Sequence, residues 1–459
     1  MCNSIPTVNR AYLRDDFERV LHVLERTPKI NKCKMVEKQE FESRVKKVQN
    51  ALAAADIDVG LVFSDEHYCG DVPYLGGNTN ITVEQVAGIV GKTGFHIVAG
   101  LEGGYVAEQL SPRSGAKVHK VELLQLADEK YPVEAVHLED VLKEANRGIM
   151  PKNIGLLTPR QVIPASLLEY CQSLVGVENI IDAQLLYYKI KYEKSNCEME
   201  LICDASAIAD AAMQAMLSVL KPGMLETQVA AWGYFVAREL GAEELGFDIM
   251  VGANEANRTL IGKALNREIC YGDYVHLGVG TKRDGLNACI RRSVIACPSP
   301  AEVTEEQRFW FNLIEGAYKV GFEKYCEVAQ HNLPARLQEK ALVDYFSSRS
   351  AEVSSRVGQP VQLEFLKPYT GTHNSGYTEC QEFYGAITLD SDEPLGQQIV
   401  TMLDVALRGI GNNWNDVCFP GFDFLVVENT LGKFGQHVEV LTKLPVNVQP
   451  LVGVSYKNS

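Results

Sequence analysis

The chain is 459 residues long, 46% hydrophobic and 22% charged, the balance of a globular protein with room for two or three domains and little for long disorder. Its 44 lysines and arginines against 59 aspartates and glutamates leave a net charge of −15, which argues against a bulk binder of nucleic acid or anionic membrane. Apolar runs such as Val59 to Phe63 fall well short of the ~20 residues that span a bilayer. The Met-Cys-Asn-Ser-Ile-Pro start does not read as a signal peptide, so the expected location is the cytoplasm. Twelve cysteines without a C-x-x-C pair point to reduced thiols, most of them small core residues.

In chain order, residues 40 to 55 carry helical periodicity, Val59 to Phe63 reads as a buried strand, and Gly88 to Val98 reads as strand, turn and strand. Helix and strand signals then alternate over Val133 to Asn146, Asn153 to Leu157 and Pro164 to Leu174, ending near Ile181 and Asp182. The pattern is an α/β first domain, residues 1–185. The charged stretch Tyr188 to Glu200 marks a junction, followed by an apolar helix from Met199 to Leu220 that Lys221-Pro-Gly223 closes. The second domain, 186–459, then offers a helix over Glu226 to Leu240, strands at Phe247 to Val251, Tyr274 to Val279 and Leu286 to Val294, and an Asp284-Gly285 hairpin turn. No repeat of fixed period appears, which removes solenoid architectures.

Chemistry-bearing residues gather in the second domain. Alternation along the hairpin puts His276 and Gly278 on one face, and Cys289, Arg291 and Ser293 on one face. Gly371-Thr-His-Asn-Ser-Gly-Tyr377 is a glycine-rich turn carrying His373. Asp404 and Glu428 each sit inside an apolar, strand-like run, where a carboxylate needs a partner because an unpaired buried charge is costly.

The Lys189-to-Glu200 junction, Lys221-Pro-Gly-Met-Leu-Glu226, Gly272-Asp273, the Asp284-Gly285 hairpin, Arg292, His373-Asn-Ser-Gly376, Val427-Glu-Asn-Thr430 and Glu439-Val-Leu-Thr442, in this order and spacing, resemble the pita-bread family of creatinase, prolidase, aminopeptidase P and methionine aminopeptidase. The resemblance covers almost the whole chain and is nearest to the creatinase and aminopeptidase P branch. It implies an α/β (α+β) architecture, with a creatinase-type N-terminal domain and a C-terminal pita-bread catalytic domain. By the same resemblance the family's metal-binding aspartates fall at Gly278 and Cys289, its histidine ligand at His373, and its glutamates at Asp404 and Glu428. Two carboxylates are therefore missing, and a conventional two-metal peptidase is not expected. The histidine usual after Gly252-Ala-Asn254 is absent from Asn257 to Lys263, and a second active-site histidine and its neighbouring glutamate fall at Cys380 and Gln381.

The leading expectation is a homodimeric, creatinase-like hydrolase, without cofactor, that cleaves a C–N bond in a small, anionic metabolite. Water would lie between His373 and the carboxylates Asp404 and Glu428, and His276 would protonate the leaving nitrogen. Substrate would be held by Arg291, Cys289, Tyr377 and Arg258, the guanidinium of Arg291 standing where a metal supplied charge. One alternative is a one-metal hydrolase or lyase, Xaa-Pro peptidase-like, with a single zinc or iron on Cys289, His373, Asp404 and Glu428. Another is an inactive pita-bread module that binds a peptide or protein. The resemblance further implies that His67-Tyr68 and Tyr74 to Asn78 reach the pocket of a second subunit. The bland readings are a hydrogen-bonded structural His276, a space-filling Cys289, Arg258 and Lys263 as loop charges, and Glu379 and Glu382 as surface residues.

Overall fold

The computed structural model describes residues 10–125, 136–379, 382, 384–419 and 421–453. The first half builds a six-stranded sheet from β1 (Val59–Ser64), β2 (Val86–Gly91), β3 (Gly94–Ala99), β4 (Lys117–Lys120), β5 (Ile154–Leu156) and β6 (Ile180–Asp182), in the order β4-β3-β2-β1-β5-β6. Around it lie α2 (Lys38–Ala54), α3 (Asp71–Gly76), α4 (Leu101–Leu110), α5 (Leu138–Ala145) and α6 (Ala165–Val175). Strands β1 to β3 pair antiparallel, and β4, β5 and β6 join in parallel.

The second half is a seven-stranded antiparallel sheet of β7 (Glu244–Ala253), β8 (Tyr274–Arg283), β9 (Leu286–Ile295), β10 (Thr372–Asn374), β11 (Gln398–Arg408), β12 (Phe424–Phe434) and β13 (His437–Val440), with β13 on β12. Its long helices are α8 (Asn196–Val219), α9 (Glu226–Glu239), α10 (Glu305–His331) and α11 (Arg336–Val357). Alternation decides which side chains meet these helices. Val275, Leu277, Val279, Ile290 and Val294 pack in one core with α8 and α9. Leu403, Val405, Leu425, Val427 and Leu431 pack in another with α10 and α11. The intervening residues 276, 278, 289, 291, 404 and 428 are thereby turned to the other face, where the candidate site lies.

Helix α7 (Gln184–Tyr192) spans the expected boundary at 185/186, and α1 (Arg10–Arg26) packs on α8 rather than on the first sheet. Arg19 donates to the carbonyls of Ser218 and Gly453, at 3.0 and 2.6 Å, and Lys221 meets Asp16 at 2.7 Å. The apolar stretch in α8 is longer than the short runs read from the sequence. Its length and composition would suit a membrane span, but 72% of its most apolar window is buried inside the protein. A capping box starts it: Ser195 Oγ accepts from Glu198 N at 3.2 Å, and Glu198 Oε2 accepts from Ser195 N at 2.7 Å.

Buried charges tie the halves together. Arg44 of α2 meets Glu198 at 3.0 Å. The hairpin tip has positive φ at Asp284 (49°) and Gly285 (81°), the left-handed pair of a type I′ turn. Arg113 grips the Asp284 carboxylate at 2.7 Å. Lys191 of α7 bridges Asp71 at 2.8 Å and Glu382 at 2.9 Å. All ten cysteines among the described residues are free.

Candidate active site

A single row crosses five strands of the second sheet: Met250 faces Gly278, Gly278 faces Arg291, Arg291 faces Glu428, and Glu428 faces Asp404. His373 on β10 lies opposite Met402, two positions along β11 from Asp404. Glycine at 278 leaves space that the arginine takes up: a Cβ there would come within 3.3 Å of Arg291 Cγ.

Arg291 is almost fully buried and its hydrogen bonds are spent inside the protein. Nη1 donates to Tyr369 OH at 3.0 Å and to Asp404 Oδ2 at 3.1 Å, Nη2 donates to the Leu260 carbonyl at 2.7 Å, and Nε lies 3.7 Å from Glu428 Oε2. Leu260, whose carbonyl accepts the Nη2 bond, has a positive φ of 64°. Nε also donates to His276 Nε2 at 3.2 Å. A guanidinium carries no acceptor and stays charged, so His276 Nε2 must be a lone pair. Burial, with Arg291 adding to it, holds this imidazole well below its ordinary pKa. His276 is thus a neutral acceptor that orients Arg291, and its Nε2 has no proton for a leaving group.

Cys289, His373, Glu379 and Glu428 converge beside the arginine. Cys289 Sγ donates to Glu428 Oε2 at 3.4 Å, and His373 Nε2 lies 3.5 Å from Glu379 Oε1 and 3.7 Å from Glu428 Oε1. Potential ligand atoms of Cys289, Glu379 and Glu428 lie within 4.8 Å of one another, as do those of His373, Asp404 and Glu428. Burial lowers the basicity of His373, but Glu379 and Glu428 outweigh it and raise its pKa to about 10. Burial pushes Asp404 up to about 6, reinforced by Glu428 and opposed by Arg291. Burial and the neighbouring carboxylates hold the Cys289 thiol well above its usual range.

The structure therefore brings Cys289, Arg291, His276, His373, Asp404 and Glu428 together and leaves two expected substrate contacts elsewhere. Arg258 is tied to Asp423 at 2.8 Å and to the Trp414 carbonyl at 3.1 Å. Tyr377 is buried at the junction of the halves, its hydroxyl accepting from Arg44 at 2.9 Å. Arg291 is likewise committed to internal partners rather than open to a substrate carboxylate. Lys263 is an exposed loop charge paired with Asp248. Tyr68 and Tyr74 are buried within the same chain. Cys380 and Gln381 lie outside the described residues.

Three residues of the site escape a reading of the sequence as hairpin and strands. Tyr369 touches Arg291 78 positions away. Glu379 is no surface residue: its side chain is 12% exposed and faces His373. Glu382 is buried, and its Oε1 accepts from the backbone N–H of Tyr377 at 3.1 Å and Thr378 at 3.3 Å. Together with Lys191 it pins the turn between His373 and Glu379. The surrounding Gly371 and Gly376 were the available signal, since they mark a backbone packed closely against neighbours.

Residues 200–336 match metallopeptidase family M24. Among curated proteins, the chain is 26% identical over 209 residues to a Xaa-Pro dipeptidase of Pyrococcus horikoshii, covering 45% of this chain and 57% of that protein. It is 24% identical over 229 residues to an uncharacterized peptidase of Bacillus subtilis, covering 50% and 62%. The match thus spans little more than half the length of these relatives. Among solved structures, the X-Pro aminopeptidase of Thermotoga maritima superposes with a TM-score of 0.68 at 18% identity, over 88% of this chain and 98% of that one. The prolidase of Pyrococcus horikoshii gives 0.66 at 19% identity, over 88% and 99%. The architecture is the two-domain pita-bread fold of these peptidases, as the sequence resemblance implied. The Pyrococcus and Thermotoga relatives are named as Xaa-Pro peptidases, which favours the Xaa-Pro peptidase-like alternative over the metal-free, creatinase-like reading.

The residues present do not fit a two-metal centre. Gly278 offers no ligand, Cys289 replaces a carboxylate, and the Arg291 cation lies against the row where a second ion would be repelled. They do fit a single ion. Glu428 Oε1 and Asp404 Oδ1 are buried without a hydrogen-bond partner, a state that calls for a cation or a proton. His373 Nδ1 lies 3.2 Å from the Asn374 carbonyl, which holds a hydrogen on Nδ1 and turns Nε2 toward Glu379 and Glu428. That is the outer hydrogen bond that orients a metal-ligating histidine.

Proposed function

We propose that this chain is a one-metal hydrolase of the Xaa-Pro peptidase type that cleaves the C–N bond of a small peptide amide. The observation that carries the reading is the approach of Cys289, His373 and Glu379 to the buried Glu428 carboxylate, Cys289 Sγ at Oε2 and His373 Nε2 at Oε1, beside the Arg291 cation. These four side chains form a mixed S, N and O set acceptable to zinc or iron. A divalent ion held there supplies Lewis-acid polarisation of a substrate carbonyl.

The protein's own groups handle protons and position. Asp404 has one oxygen fixed by Arg291 and a second, Oδ1, without a partner. With a pKa of about 6 it is matched to taking a proton from an attacking water and returning it to the leaving nitrogen near neutral pH. Arg291 and Tyr369 keep that carboxyl in place, and His276 fixes Arg291 from behind. Glu382 and Lys191 hold the turn that leads from His373 to Glu379. The test is to strip the protein with chelator, reload it with zinc, manganese or iron(II), and assay Xaa-Pro dipeptides beside small amidino and carbamoyl acids. Metal-restored dipeptide hydrolysis supports the proposal. Chelator-resistant turnover of the small acids would return the metal-free reading, and silence toward both would favour a binding module.

A further inference from the structure

A second cluster of ligand-type side chains lies in the first domain, on another sheet from the candidate active site. His96 of β3, His119 of β4 and Glu144 in the last turn of α5 present ligand atoms within 4.8 Å of one another. His96 Nδ1 lies 3.0 Å from His119 Nε2, and the two rings meet edge to edge, with centroids 5.3 Å apart and 20° between their planes.

The hydrogen bonds around His96 fix which nitrogen faces its partner. Thr93 Oγ1 has one hydrogen, which the Glu144 carbonyl at 3.0 Å or the Ala145 carbonyl can take. With its hydrogen given to either carbonyl, it accepts from His96 Nε2 at 2.8 Å, which leaves the His96 Nδ1 lone pair facing His119. This is the arrangement of a metal-ligating histidine whose other nitrogen is anchored by an outer hydrogen bond.

The carboxylate adds a further reason. Glu144 stands at the C-terminal end of α5, where the helix dipole disfavours an anion and favours a cation. Its present counter-charge is Lys117 at 2.7 Å, a side chain 55% exposed and able to swing away. Nitrogens sharing a tetrahedral ion at ~2.0–2.1 Å stand roughly 3.3 Å apart, so an ion between them requires the two rings to turn off their common axis while their nitrogens separate by a few tenths of an ångström.

We propose that His96, His119 and Glu144 form a divalent transition-metal site, suited to zinc, that clamps the edge strand β4 and the end of α5 onto β3. Two imidazoles and one carboxylate leave a fourth position to water. The site is independent of the one-metal hydrolase reading, and the test keeps the two apart. Cys289→Ala/His373→Ala removes the candidate catalytic ligands in the full chain, and zinc retention is then measured by equilibrium dialysis with elemental analysis. The expected result is one equivalent of zinc in that background, lost in His119→Ala and weakened at least tenfold in Glu144→Gln. The exposed position of Glu144 lets the second variant report even where the first fails to fold. Cobalt(II) bound at this site should show ligand-field bands without a thiolate charge-transfer band. No zinc in the background, or retention indifferent to both changes, would overturn the proposal.

Discussion

Replacing Arg291 with Met keeps most of the stem that fills the space over Gly278 and removes only the cation. Asp404 and Glu428, directly paired in register, then share a buried site without a positive neighbour from β9. An opposite charge at this range lowers a carboxyl pKa by ~1–3 units. Its loss therefore lifts Asp404 above its present value of about 6, at ~1.4 kcal/mol per unit. With the hydrogen bonds to Tyr369 and the Leu260 carbonyl also gone, the expected destabilisation of the metal-free protein at pH 8 is about 3–5 kcal/mol. The sign of the pH dependence follows from the direction of the shift. A carboxyl raised in the folded state is protonated in both states below its unfolded pKa of ~3.9, and the penalty develops as pH rises through the folded value. Urea unfolding at pH 4.5 and pH 8 should thus show the variant losing more at the higher pH, by ~1–4 kcal/mol. A loss under ~1 kcal/mol at pH 8, or equal losses at both pH values, would refute the view that Arg291 neutralises this pair.

Asp404→Asn should lower kcat by ~100-fold or more and abolish the acidic limb of the pH–rate profile while metal content stays unchanged. Lys191→Met strands Asp71 and Glu382 in the interior, and urea unfolding should record a loss of about 3–5 kcal/mol. Ser195→Ala removes the α8 cap and should cost ~0.5–2 kcal/mol by the same assay. The triple change Gly278→Asp, Cys289→Asp and Arg291→Ala restores the two carboxylates and clears the cation, so elemental analysis should find one more metal equivalent than in the unchanged protein.

The parts of the site that follow from strand alternation are legible in the sequence. His276, Gly278, Cys289, Arg291, Asp404 and Glu428 all fall on the inward face because their neighbours are the apolar residues that meet the helices. The turn around His373 is legible from its glycines. Contacts that depend on distant loops are not: nothing near Arg291 announces Tyr369 or the Leu260 carbonyl, and nothing near Glu382 announces Lys191. The roles of Arg291 and His276 change for the same reason, since hydrogen-bond direction decides them and a sequence carries none. The helix at 305–331 has a readable start in its Thr304/Gln307 capping box. That at 336–357 is harder, because its buried face includes Gln338 and Glu339 as well as Leu342 and Phe346.

The most direct test of the one-metal account is the metal content of the purified, reloaded protein measured alongside Xaa-Pro dipeptide hydrolysis. The account predicts saturation of the Cys289, His373, Glu379 and Glu428 site at one equivalent, counted as the metal lost in His373→Ala, with turnover rising and falling in step with that equivalent. Two equivalents lost in His373→Ala, or turnover that survives complete removal of metal, would contradict it.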